Sequence, residues 1–470
     1  MKNRRTKIIA TLGPSCSDIS IIQDLANKGV NCFRVNLSHG TMEQKINFFK
    51  LIKTIKTEEQ NRPAILADLA GPKIRVFGLD KPIILNNGDK VLVSNEKVGE
   101  KIIPVSKNVS FQDVQKSAKI KIDDGRIVLE VVKHISKNTL ECCVVVSGKI
   151  EDRKGVNFPG ISLNVPCLTD EDVIDLKLAL ENGADWIALS FTRKAEDYDL
   201  VESKIKELGY KTPIMAKIEK WEAIDNLDEI IRKFDAVMVA RGDLGVELPI
   251  EKVPLIQKKV TEKANQLGKP VIIATQILES MTKNQIPTRA EISDIANAIF
   301  DGADALMVTG ETAIGNFPQY VVKVLSKAII ETESDIAYKN YYLSKSQNLL
   351  STSQAISHAA CSVAHDLNIK NLVTMTHSGS TAIMTARYRP IPRIIALTPF
   401  EYICRRLSIV WGVVAFKIDG FSKADEIPDT VKNVLKDKEF ISNGEKIVIT
   451  GGVPVGVPGT TNYLSVMKLD

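Results

Sequence analysis

Eight short runs of β-forming apolar residues, each followed by a helical pattern, constrain this chain more than any other feature in it. They occupy residues 8–12, 32–37, 64–69, 186–191, 214–218, 236–240, 271–275 and 305–309. Eight strand–helix units are what closes a parallel (β/α)8 TIM barrel, and the runs lack strict alternation, as expected of strands buried on both faces. The series breaks once. Residues 72–165 carry turn signals at Asn86-Asn87-Gly88, Asp123-Asp124-Gly125 and Ser147-Gly148 between alternating segments such as 127–132, which reads as an inserted β-barrel lid domain. An insertion after the third strand leaves from the C-terminal rim, where barrel active sites lie. From about residue 353 a helix runs to Asp366, and strands follow near 372–376, 394–397, 413–418, 447–450 and 463–469. These form a C-terminal three-layer α/β regulatory domain. The expected organisation is barrel 1–71, lid 72–165, barrel 166–345 and C-terminal domain 346–470, with the polar stretch 338–351 as the connection.

Composition narrows the function classes. No unbroken apolar run reaches the roughly 20 residues that cross a bilayer, and Met1 to Arg5 leads straight into a strand with no apolar signal core. Neither membrane nor export is expected. The seven cysteines are scattered, with no Cys-x-x-Cys pair, which fits reduced thiols in a cytoplasm. A net charge of +5 over 470 residues, without a basic cluster carrying aromatics, excludes nucleic acid and leaves pockets for anionic metabolites.

Polar residues at the C-terminal ends of barrel strands face the active site, and here they recur: Arg34 and Asn36, Asp68, Lys217 and Glu219, Asp243, Thr275. Any one of them could belong to an ion pair closing the barrel mouth, but the set is hard to explain that way. Glu219 and Asp243, on adjacent strands, are hard oxygen donors suited to Mg²⁺ or Mn²⁺, with no His or Cys beside them to suggest zinc. In Arg241-Gly242-Asp243-Leu244-Gly245 the glycines allow close backbone approach to a carboxylate, or simply make a tight turn. Lys217 lies on the same side of its strand as Glu219. With Arg34 and Arg75 it would neutralise a phosphoryl group in transfer. No Gly-x-x-x-x-Gly-Lys-Ser/Thr loop and no His-Arg-Asp or Asp-Phe-Gly signature is present, so neither a P-loop enzyme nor a protein kinase fits.

Met215-Ala-Lys-Ile-Glu219 and Val239-Ala-Arg-Gly-Asp-Leu-Gly-Val-Glu247 closely resemble the signature of the pyruvate kinase family. So do Ala274-Thr-Gln-Ile-Leu-Glu-Ser-Met281, Pro287-Thr-Arg-Ala-Glu-Ile-Ser-Asp294, Gly310-Glu-Thr-Ala313, Phe33-Arg-Val-Asn-Leu-Ser-His39 and Lys154-Gly-Val-Asn157. The resemblance spans the chain. It implies transfer of the phosphoryl group of phosphoenolpyruvate to ADP, with Lys217, Thr275 and Arg34 catalytic and Glu219 and Asp243 holding Mg²⁺ (or Mn²⁺). Substrate would lie on Lys217, Arg241, Gly242, Asp243 and Thr275. Nucleotide phosphates would meet Arg34, Asn36, Arg75, Lys154 and His39, while Asp124 would help hold the lid closed. A homotetramer is also implied.

One departure stands out. Most family members hold K⁺ with the equivalents of Asn36, Ser38, Asp68 and the residue after it, and carry Glu where this chain has Lys73. Leu69 stands where Thr is usual, and Ala70 where Lys is common. This resembles the K⁺-independent branch, with the Lys73 ammonium supplying the monovalent charge, although Lys73 could instead face solvent at the lid hinge. In the last domain Thr376, Ser378, Gly379, Ser380 and Thr381 resemble an effector loop for a phosphorylated ligand, a sugar phosphate or a nucleotide monophosphate, with residues 451–462 as the other wall. A plain helix cap is the alternative. Two other functions stay open on the residues alone: a metal-dependent aldolase or lyase acting on a pyruvate enolate, and a silent metabolite binder.

Overall fold

The computed structural model describes residues 4–57, 62–96, 99, 101–106, 109–162, 165–335, 351–420, 426–438, 440–441, 444–453 and 461–468. Eight strands close a barrel: Lys7–Thr11, Cys32–Asn36, Ala64–Asp68, Trp186–Leu189, Ile214–Ile218, Ala236–Ala240, Val271–Ala274 and Ala305–Val308. All neighbours are parallel, and the last strand pairs with the first through Lys7 opposite Ala305. Every run expected from the sequence is therefore present. Along each strand the side chains alternate between two cores. Cys32, Leu66, Met215, Met238 and Met307 fill the barrel interior, while Phe33, Val35, Ile65 and Val237 pack outward under the helices.

That alternation places the chemistry. Arg34 and Asn36 follow Cys32 at steps of two, Asp68 follows Leu66, and Lys217 follows Met215, so all four continue the interior column at its C-terminal end. Helices start with reciprocal caps: Thr41 with Gln44, Thr169 with Asp172, and Thr288 with Glu291. Asp172 does more than cap. Its second carboxylate oxygen accepts the Gly71 N–H at 3.0 Å, fixing the chain where it leaves the third strand for the lid.

The inserted segment builds a six-stranded sheet and a two-stranded one around its own core of Val93, Ile103, Phe111, Ile120, Leu129 and Leu140. The C-terminal unit has a five-stranded sheet ordered Val413–Lys417, Arg393–Thr398, Asn371–Met375, Lys446–Gly452, Thr461–Lys468, antiparallel only at its last pair. Its first helix spans Thr352–Asp366. The expected connection at 338–351 lies outside the described residues apart from Ser351, which caps that helix.

The barrel floor is tied to this unit by a repeated device. Asp185, Asp235 and Asp304 each stand just ahead of a strand and accept the N–H of the neighbouring one: Ile65 at 2.9 Å, Ile214 at 2.8 Å and Val271 at 3.0 Å. Arg405 then reaches Asp185 at 2.8 Å, and Arg389 grips Asp304 with both nitrogens at 2.9 and 3.1 Å. Ile409 of the C-terminal unit joins the interior core from below.

Candidate active site

The site is built around one buried ammonium. Lys217 Nζ donates to Ser190 Oγ at 2.7 Å and lies 3.4 Å from Asp68 Oδ1 and 3.5 Å from Glu219 Oε2. Burial opposes its charge, but Asp68 and Glu219 more than offset that and hold its pKa above the ordinary lysine value. Asp68 is likewise buried, yet Lys217 and Arg34 keep its carboxyl below the usual range. Arg34 Nε pairs with Asp68 Oδ2 at 2.7 Å, and its Nη1 donates to Thr11 Oγ1 at 3.2 Å.

Glu219 differs from Asp68. Burial pushes its pKa up to about 7, against the pull of Lys217, and the Asp243 charge adds to the rise. Its Oε1 accepts the Phe191 N–H at 2.7 Å, while the buried Oε2 accepts no hydrogen bond. That oxygen accepts no hydrogen bond, and the one ammonium near it is shared with Asp68, so the buried carboxylates together are short of positive charge. A divalent cation would supply that charge, and Mg²⁺ and Mn²⁺ suit such a set because they keep water or substrate oxygens in their remaining positions. The residues fit the metal. Among the described residues no group of three or more His, Cys, Asp or Glu side chains forms a denser metal cage.

Thr275 directly follows the seventh strand with φ +66°, and Gln276 comes next at +55°. A β-branched residue in the left-handed region is strained and needs bracing. Thr275 Oγ1 accepts the Gly242 N–H at 2.8 Å and donates to the Ala274 carbonyl at 2.6 Å. Arg241 donates to the Thr275 carbonyl at 2.8 and 3.2 Å and is itself clamped by Asp294 at 2.6 and 2.8 Å. The Arg241 guanidinium therefore braces the loop. Residues Arg241–Glu247 form a short helix and not the tight turn considered from the glycines: helical hydrogen bonds come free once the preceding strand ends at Ala240.

Two family models match this chain: pyruvate kinase, barrel domain, over residues 3–322, and pyruvate kinase, alpha/beta domain, over residues 354–467. The chain belongs to the pyruvate kinase family. A pyruvate kinase of Thermotoga maritima is 40% identical over 470 residues, covering 99% of this chain and 100% of that one. One from Staphylococcus aureus is 40% identical over 472 residues, covering 98% of this chain and 80% of that one. The crystal structure of a pyruvate kinase from Cryptosporidium parvum superposes with a TM-score of 0.92 at 33% identity, covering 100% of this chain and 97% of that chain.

The other candidates of this pyruvate kinase fold fall into three places. At the ends of strands two and three, Asn36 sits opposite Asp68, its Nδ2 lies 3.1 Å from His39 Nδ1, and its Oδ1 accepts the Ser38 N–H at 3.2 Å. Burial, and then Arg75, Lys73, Arg34 and Lys45, lower the pKa of His39, so these cations converge on one patch. Leu69 is buried, and its carbonyl accepts the Ser190 hydroxyl at 2.7 Å. Lys73, partly exposed, pairs with Asp243 Oδ1 at 3.8 Å.

The lid supplies the second group. Arg75 Nη1 donates to the Arg153 carbonyl at 3.1 Å, and Lys154 pairs with Asp123 at 3.0 Å. Asp124 makes no hydrogen bond or ion pair with any described residue and lines the cleft shared with Lys73 and Arg241. Lid and barrel are joined instead by Lys121 to the Val246 carbonyl at 2.7 Å and Asn157 to Glu247 at 2.9 Å.

In the C-terminal unit Thr376 Oγ1 accepts the Gly379 N–H at 2.9 Å, Ser378 donates to Ser380 at 3.1 Å, and Thr381 meets Thr461 at 2.8 Å. Gly379, at φ +91°, and not Ser380, is the residue before the helix. Of the expected opposite wall, residues 454–460 lie outside the described residues.

Ser190, the Phe191 N–H and Asp294 were missed from the sequence. Ser190 was findable, because it is a polar residue at a strand end, the rule that selected Asp68 and Thr275. Asp294 closes the segment Pro287–Asp294 that resembles the family, so it too was findable, whereas a backbone N–H carries no sequence signal.

Proposed function

We propose that this chain transfers the phosphoryl group of phosphoenolpyruvate to ADP, giving pyruvate and ATP in the last step of glycolysis. The observation that carries the reading is the Lys217 ammonium, buried between Asp68, Ser190 and Glu219 and next to the donor-free Glu219 Oε2. Mg²⁺ (or Mn²⁺) held by Glu219 and Asp243 neutralises phosphate charge when bound. Lys217 stabilises the charge that builds on the transferring group and on the enolate oxygen. Substrate carboxylate occupies the Arg241, Gly242 and Asp243 backbone, which requires Thr275 Oγ1 to give up the Gly242 N–H. The freed hydroxyl then lies beside the enolate and helps deliver the proton that forms pyruvate. Arg34, Asn36, Arg75, His39 and Lys154 bind nucleotide and substrate phosphates.

Lys73 takes the place of the monovalent cation at Asn36, Ser38, Asp68 and Leu69, so K⁺ is not required. Its position 3.8 Å from Asp243 supports a charge inside the site, not a solvent-facing hinge. The enzyme works in the cytoplasm as a homotetramer; no helix of the described residues is long and apolar enough to cross a membrane. A phosphorylated effector binds the loop Thr376 to Thr381. Neither an aldolase or lyase nor a silent binder explains both the lid cations and the intact Lys217, Glu219, Asp243 and Thr275. The test is pyruvate formation from phosphoenolpyruvate and ADP at saturating Mg²⁺, with and without K⁺, in buffer free of K⁺ and NH₄⁺. Equal rates are expected, activity only with K⁺ removes the Lys73 role, and no pyruvate in either removes the function.

A further inference from the structure

The two carboxylates that suit the metal stand on separate strand ends, and one buried ion pair ties those ends together. Glu219 directly follows the fifth strand and precedes Lys220, while Asp243 lies in the short helix Arg241–Glu247 that follows the sixth. Lys220 Nζ donates to Glu247 Oε1 at 2.7 Å. The residue next to one carboxylate is thereby joined to the last residue of the helix that carries the other. Glu247 is buried, and Lys220 partly so.

The same oxygen takes a second donor, from the lid. Asn157 Nδ2 reaches Glu247 Oε1 at 2.9 Å, while Oε2 is buried and accepts no hydrogen bond. One residue earlier, the Val246 carbonyl accepts from the Lys121 ammonium at 2.7 Å. Lid contacts therefore gather at the C-terminal end of this helix. Its other end is fixed separately, Arg241 by Asp294 and the Gly242 N–H by Thr275. Seven helical residues span only about 10 Å, and Asp243 and Glu247 are one turn apart, so a displacement at Glu247 reaches Asp243. Taking the Glu247 carboxylate out of water costs much of what its attraction to Lys220 returns, which makes the pair a poor source of stability. What it supplies is a fixed distance between the Glu219 turn and the Asp243 helix.

We propose that Glu247 is a positioning residue for the divalent-metal site. Through Lys220 it holds Glu219 and Asp243 at the separation that one cation bridges, and through Asn157 it makes that separation depend on whether the lid is seated. The inference rests on the reading of Glu219 and Asp243 as the metal ligands and goes beyond it by naming what sets their spacing. Linkage makes the effect reciprocal, so a bound metal favours the seated lid.

The test is Mn²⁺ binding to the full chain without substrates, read from the electron paramagnetic resonance signal of free Mn²⁺, with E219Q as the reference. E247Q keeps an oxygen for both donors but removes the charge, and K220M removes the partner. Each should weaken Mn²⁺ binding about 10-fold, the lower end of the effect of groups that support metal ligands. The two changes together should weaken it no more than either alone, because they break one interaction. N157A spares the pair and should also weaken Mn²⁺ binding, by less than E247Q. Where a single variant does not fold, K220M with E247M removes both charges, an exchange that buried pairs often tolerate, and carries the same expectation. Mn²⁺ affinity unchanged in E247Q, K220M and the double variants, with binding lost in E219Q, would overturn the proposal and leave the metal ligands standing; a lower melting temperature alone would reduce the pair to a structural one. Affinity unchanged in E219Q as well would remove the metal reading itself. An N157A protein that binds Mn²⁺ as tightly as the wild type would remove the lid from the proposal.

Discussion

Lys217 Nζ donates to Ser190 Oγ at 2.7 Å, and the Ser190 hydroxyl in turn donates to the Leu69 carbonyl at 2.7 Å, so the buried ammonium is held by a hydroxyl anchored beside a different strand. The carboxylates alone would pull the flexible lysine stem towards either Asp68 or Glu219. Ser190 supplies a third partner that fixes the ammonium between them.

Replacing Lys217 with Met should lower kcat about 10²- to 10³-fold, the usual loss for a donor that acts on transition-state charge, with a smaller change in KM for phosphoenolpyruvate. Steady-state kinetics at saturating Mg²⁺ checks this. A rise in KM with kcat preserved would reduce Lys217 to a ground-state binding residue.

Lys73→Glu restores the charge usual in most of the family and should make the enzyme depend on K⁺. Activity in K⁺-free buffer should fall and return on adding K⁺. The wild type run in parallel should stay flat across the same titration.

The Arg389–Asp304 pair is buried and also receives the Trp411 N–H at 3.0 Å, so Arg389→Ala leaves a buried carboxylate half satisfied. The expected loss is about 3–5 kcal/mol. Denaturant unfolding should show it as a lower midpoint, and the C-terminal unit should become the first part exposed to protease.

Burial pushes the thiols of Cys16 and Cys167 up to about 11 and those of Cys142 and Cys404 up to about 12. Thiolate is the reactive form, so at pH 8 a thiol at 11 offers about one part in a thousand of it. Raising the pH raises reactivity, and unfolding raises it further because burial is the cause. Mass mapping after brief alkylation at pH 8 should find Cys143, partly exposed on a lid strand, modified first.

Thr275→Val keeps the shape but removes the hydroxyl that receives the Gly242 N–H. Pyruvate formation should fall about 10²-fold or more, in the range for losing a proton-transfer group. Circular dichroism should show the fold unchanged, since Arg241 still braces the loop through the Thr275 carbonyl.

The sequence by itself determined the eight strands, the break after the third and most of the polar residues at the barrel mouth. Strand patterning is local: alternation along each strand alone puts Arg34, Asp68 and Lys217 on the interior column, whatever the rest of the chain does. Only the tertiary structure decided the partners. Closing the barrel brings the Phe191 N–H to Glu219 and leaves Oε2 without a donor, and docking the C-terminal unit carries Arg405 and Arg389 to Asp185 and Asp304. It also set Lys73 beside Asp243 and joined the lid through Lys121 and Asn157. These contacts join residues far apart in the chain. They follow from how strands close and domains seat, which no local periodicity records.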